Sequence, residues 1–144
     1  MKPRIFTAQT LLAAALLAAC SADETVAPVN EDQLAVGTWG GDNVAFIVSD
    51  SAVHVHIGCT NGTFKGAVVL DDDGRFTMNG EYLLRAHPIA IGPPLPAQLA
   101  GIVTGSAVTF SVAVNDTTPV ALGPAVAVRG RTPRMGPCPI CVTF

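Results

Sequence analysis

The sequence has no apolar run long enough to cross a bilayer as a helix. Its longest, Leu11 to Ala19, reads LLAAALLAA and covers roughly half of the ~20 residues that a span requires. Cations are also scarce. Beyond residue 19 they are Lys65, Arg75, Arg85, Arg129, Arg131 and Arg134, against eleven carboxylates, so that part of the chain has a formal charge of −5. Phosphate binding needs clustered cations, which argues against nucleic acid as a partner. The one local cluster, Arg129, Arg131 and Arg134, reads as a solvated strand end. Catalytic signatures are missing too: there is no Gly-x-Ser-x-Gly elbow, no phosphate loop and no H-E-x-x-H. His87 precedes a proline and has no evident carboxylate to orient it. The expectation is a protein that is not an enzyme and carries no cofactor. No stretch after Ala19 shows a helical period with caps, which argues against a parallel sheet linked by crossover helices.

What is present begins with an address. Lys2 and Arg4 make a short basic start, and the apolar run follows. A basic start, a short apolar core and a small-residue exit together read as a secretory signal. The exit, Leu17-Ala18-Ala19-Cys20, resembles the lipobox of bacterial lipoproteins. The resemblance implies a signal peptide over 1–19, diacylglyceryl transfer to the Cys20 thiol and cleavage before it. Two or three acyl chains, at about 0.8 kcal/mol per buried methylene, would hold the protein firmly at a membrane. Ser21 stands where the inner-membrane retention signal would place Asp, so in a Gram-negative cell the resemblance implies the outer membrane, facing the periplasm. Residues 20–33 then form a lipidated cysteine and a flexible tether, rich in carboxylates and without aromatics.

A single β-domain is expected over 34–144. Val44, Phe46 and Val48 alternate with Ala45, Ile47 and Ser49; Val53, Val55, Ile57 and Cys59 alternate with Ala52, His54, His56 and Gly58. Phe64 to Leu70, Phe76 to Tyr82, Leu99 to Val103, Val108 to Val114 and Val120 to Arg129 continue the pattern. Such period-two alternation is the signature of half-buried strands. Turn chemistry marks Ser49-Asp50-Ser51, Asn61-Gly62, Asp73-Gly74, Thr104-Gly105-Ser106 and Asp116 to Pro119. The expected fold is all-β and antiparallel, a small up-and-down barrel or alternatively a β-sandwich. His87 to Ala97 carries four prolines and is expected to be a loop over one rim.

Gly37-Thr38-Trp39 resembles the opening of lipocalin-like barrels, in which the Trp plugs one end. The domain as a whole resembles a family of small bacterial lipoproteins, through Gly37 to Gly41, Cys59, Asp73-Gly74-Arg75-Phe76, Gly130-Arg131 and Cys138. That resemblance brings no activity with it. It does pair Cys59 with Cys138, and an oxidising compartment would allow the bond. The chain departs from the family pattern in Cys141 and in His54 and His56.

Each remaining motif has a plain reading. Cys138-Pro139-Ile140-Cys141 leaves no room for the helix that a redox pair uses to lower a thiol pKa. Asp71-Asp72-Asp73-Gly74 lacks a Glu at the twelfth position of a calcium loop and reads as a hairpin turn. His54 and His56 share one strand face and could chelate a metal with His87 or a cysteine. Exposed strand residues are the favoured reading, and no metal is expected. The barrel-like opening, the proline loop and several medium-sized inward residues (Val44, Val53, Val68 and Val112) point to an envelope-anchored domain that binds a small apolar ligand. The alternative is a structural or protein-interaction lipoprotein with a filled core, and an envelope enzyme is the least favoured.

Overall fold

The structure is a computed structural model that describes residues 32–138. The signal peptide expected over 1–19, Cys20, nearly all of the expected tether, and Cys141 lie outside the described residues. Eight antiparallel strands follow one another: β1 (Gly37–Gly41), β2 (Val44–Val48), β3 (Ala52–Ile57), β4 (Thr60–Lys65), β5 (Arg75–Leu83), β6 (Leu95–Thr104), β7 (Ala107–Val114) and β8 (Val120–Arg129). Each pairs with the next, and β8 returns to β1 through Trp39↔Arg129 and Gly40↔Val128. The result is a closed up-and-down barrel. Closure, not the sandwich, is what removes the sheet edges.

The alternation read from the sequence decides which side chains point inward. Trp39 faces Phe46, Phe46 faces Val55, Met78 faces Leu99 and Leu99 faces Val112 across neighbouring strands. Trp39, Phe46, Phe64, Tyr82, Leu99 and Phe110 are all essentially inaccessible. The Phe46 ring meets Phe110 at 4.9 Å and Phe76 at 6.0 Å, so aromatic rings meet across the centre. The medium-sized valines therefore do not leave the interior open, because these rings fill the space.

At the near end lie the turns 49–51 and 105–106 and the longer 66–74 connection. The segment 32–34 pairs there with 68–70, through Leu34 N donating to Val68 O and Leu70 N donating to Asp32 O, and Leu34 and Val68 are buried. Trp39 Nε1 donates to Ala35 O at 3.3 Å on the same side. At the far end lie the turns 42–43 and 58–59, the 84–94 connection and 115–119.

Four expectations need correction. Asn61-Gly62 is not a turn but lies in β4; the turn is Gly58-Cys59, with Gly58 at φ 57°. Cys59 accordingly sits in that turn and not on the inward strand face. Val68 to Leu70 belongs to the near-end connection and not to the strand of Phe64. The proline loop ends at Pro94, since Leu95, Pro96 and Ala97 pair with Tyr82, Glu81 and Gly80. Pro96 is tolerated as the second residue of its strand, where its ring points outward.

Candidate functional site

Two features of the outside surface stand out, and both follow from the register. The first is a C-terminal strap. After β8, residues 131–138 turn back along the outside of β1. Arg134 N donates to Gly41 O, Asn43 N donates to Arg134 O, and Gly136 N donates to the Asn43 side-chain oxygen. A Cβ at Gly40 would collide with the strap backbone at residues 131–133, which is why glycine stands at that outward position. Asp42 accepts from Arg134 Nε at 2.7 Å and from Arg131 at 3.4 Å. The arginine cluster is thus partly paired instead of freely solvated, although exposed pairs of this kind contribute little. The strap ends in the Cys59–Cys138 disulfide, with Cα atoms 5.5 Å apart.

The second feature is a histidine cluster at the far end. His54 and His56 lie on the outward face of β3. The 84–94 connection brings His87 beside them, because Ala86 N and His87 N both donate to Cys59 O. All three histidines of the chain are thereby gathered on one patch. The rings of His54 and His56 are 4.7 Å apart, edge to face; those of His56 and His87 are 5.7 Å apart and stacked. His54 Nδ1 meets Thr63 Oγ1 at 2.9 Å, and Asn61 Nδ2 donates to His87 Nε2 at 3.5 Å. Burial lowers the pKa of His54. Burial lowers that of His56 as well, with His54 and then His87 adding to it. Facing them on β2 and β4 are Ala45, Ile47, Asn61 and Thr63, none of which is a carboxylate that would stabilise the charged form. As the side chains stand, no three His, Cys, Asp or Glu among the described residues surround one point.

Compared with known proteins, the chain matches no family model, and no curated protein or solved structure is significantly similar to it.

A third stretch of the surface is notable for its lack of charge. From Ala86 to Val128 the only formally charged residue is Asp116. This stretch supplies β6, β7 and all of β8 but Arg129, and the outward positions carry Gln98, Ala100, Ile102, Thr109, Ser111 and Val126. Val126 is 51% exposed. Two shallow grooves cross this wall. One of about 290 Å³ is bordered by Ala100, Thr109 and Pro124, with Arg75 of β5 at its edge; the other, of about 460 Å³, by Asn79, Gln98 and Ala113. A third, of about 570 Å³, lies between the 42–43 turn and β8. None of these grooves is lined by the proline loop. Among the described residues no helix is long and apolar enough to cross a membrane.

Proposed function

We propose that the protein is a lipid-anchored envelope protein that binds a protein partner through the outer wall of its barrel. The lipobox-like Leu17 to Cys20 supports the anchor. The observation that carries the partner reading is the uncharged wall of β6, β7 and β8 on a chain that is otherwise acidic. Average globular sequences carry about a quarter charged residues, and depletion of charge at the centre of a patch is the compositional mark of an interface. The filled barrel interior favours this reading over carriage of an apolar ligand, which needs unfilled space between the strands. Such a protein works by presentation: the anchor confines it to the membrane surface and the barrel holds a rigid face.

A photo-crosslinking residue at Thr109, introduced into the protein in its own cells, tests the reading. A discrete adduct is expected, absent when Ala100→Arg is added and absent from the same probe at Lys65. Identical adduct patterns from Thr109 and Lys65 would overturn it.

A further inference from the structure

We propose that His54, His56 and His87 form an acid-operated latch: neutral rings hold the 84–94 connection against β3, and protonated rings release it. The three lie in a row with His56 in the middle. Its ring centre is 4.7 Å from that of His54 and 5.7 Å from that of His87. Protonation therefore sets like charges on both sides of His56, close enough to repel one another. Histidine is the side chain whose ordinary pKa brings such a change within mildly acid pH. Neither neighbouring strand offers a carboxylate to absorb the charge: Ala45 and Ile47 face the row from β2, Asn61 and Thr63 from β4. Glu81 stands one strand further on, opposite Thr63. Asp42 is engaged by Arg134 and Arg131, and Arg85 is a further cation on the connection itself.

The repulsion is relieved at the connection and not at the strand. His54 and His56 are fixed by β3, which is paired along its length with β2 on one side and β4 on the other. The Thr63 hydroxyl meets His54 Nδ1 and can serve that nitrogen in either protonation state. His87 is held by far less. Its own N–H and that of Ala86 donate to Cys59 O at 3.2 and 3.1 Å, and Asn61 Nδ2 donates to its Nε2 at 3.5 Å. The Asn61 bond needs an unprotonated nitrogen, so charging His87 removes it unless the amide turns over. The connection is closed on itself by Ile91 N donating to Arg85 O at 2.9 Å, so residues 85–91 can swing away as a unit. Release uncovers Ala86, which is buried in the closed state, and carries the exposed Ile89 and Ile91 with it. Burial lowers the pKa of both strand histidines, which sets the transition on the acid side of the ordinary histidine value. The Cys59–Cys138 bond is untouched, so the opening is local and separate from unfolding of the barrel.

The test is amide hydrogen exchange of the full chain, read by NMR at pH 7.5 and pH 5.0 as protection relative to an unstructured chain at the same pH. Protection of the Ala86 and His87 amides is expected to fall on acidification at least tenfold more than that of Leu99 in the barrel wall. His56→Asn, which empties the middle of the row, is expected to reduce this selective loss to less than threefold. His87→Asn, on the other side of the same contact, should give the same result, and Glu81→Gln should leave the loss as it is in the unaltered protein. The amide spectrum of each variant confirms that the barrel persists. Ala86 and His87 amides that follow Leu99 at both pH values, or a selective loss that survives both histidine substitutions, would overturn the latch.

Discussion

Gly62 lies directly opposite Tyr82 on the inward face of β4 and β5, and the Tyr82 ring occupies the space that a side chain at position 62 would need. The ring is fully buried, and its hydroxyl reaches Thr60 Oγ1 at 2.7 Å, while that same Thr60 hydroxyl donates to Ile57 O. A glycine in mid-strand thus marks a close approach and not a turn.

Gly62→Ala should destabilise the barrel by about 1–3 kcal/mol, the usual cost of overpacking a filled core. The new methyl would meet both the Tyr82 ring and the backbone carbonyl of Glu81, so rotating the ring alone cannot relieve it. Urea denaturation followed by Trp39 fluorescence measures the loss. A midpoint equal to that of the unaltered protein would show that β4 and β5 can separate at no cost.

Tyr82→Phe should cost less, about 1 kcal/mol, the net worth of one hydrogen bond. Thr60 keeps its bond to Ile57 O and is not left unsatisfied. The same denaturation series compares the two variants, and Gly62→Ala should be the more harmful.

Cys138→Ser should release the end of the strap and destabilise the protein by about 2–4 kcal/mol, because the bond closes a long loop in the unfolded chain. The two cysteines are 79 residues apart in sequence. Non-reducing peptide mapping of the unaltered protein should recover Cys59 joined to Cys138, and thermal melting of the variant gives the stability change.

Acid should weaken the folded state through the histidine patch. His54 and His56 titrate below their ordinary value in the folded protein, so the unfolded chain binds protons first as pH falls. Their neutral rings contribute their full stability above about pH 6.5, and that contribution declines as pH drops through the lowered folded values. Melting temperature should therefore fall between pH 7.5 and pH 5, and His56→Asn should narrow the difference. An unchanged difference in that variant would assign the acid sensitivity to other groups.

Cys20→Ala should leave the protein without lipid and free of the membrane. Metabolic palmitate labelling with fractionation checks this, and label persisting on the variant would remove the anchor from the reading.

Alternation along β2, β3 and β7 by itself determined which side chains face inward, because side-chain direction in a strand reverses at every residue, and the lack of crossover helices made the sheet antiparallel; in β8 the register shift at Gly123-Pro124 moves the inward set to Ala125 and Ala127, which alternation alone does not record. The turn residues at 49–51, 73–74 and 116–119 were legible for a similar reason: their chemistry acts within a few residues of chain. Tertiary structure decided the rest. Whether the sheet closes depends on the meeting of β1 and β8, some ninety residues apart, and no local pattern records it. Asn61-Gly62 looked like a turn because a glycine that relieves a tight bend and one that admits the Tyr82 ring are the same letter. The six buried aromatics were visible in the sequence, but only their convergence from separate strands showed that the interior is filled. His87 could be named as a companion to His54 and His56 but not placed beside them, because its position is set by a backbone bond to Cys59, twenty-eight residues earlier in the chain.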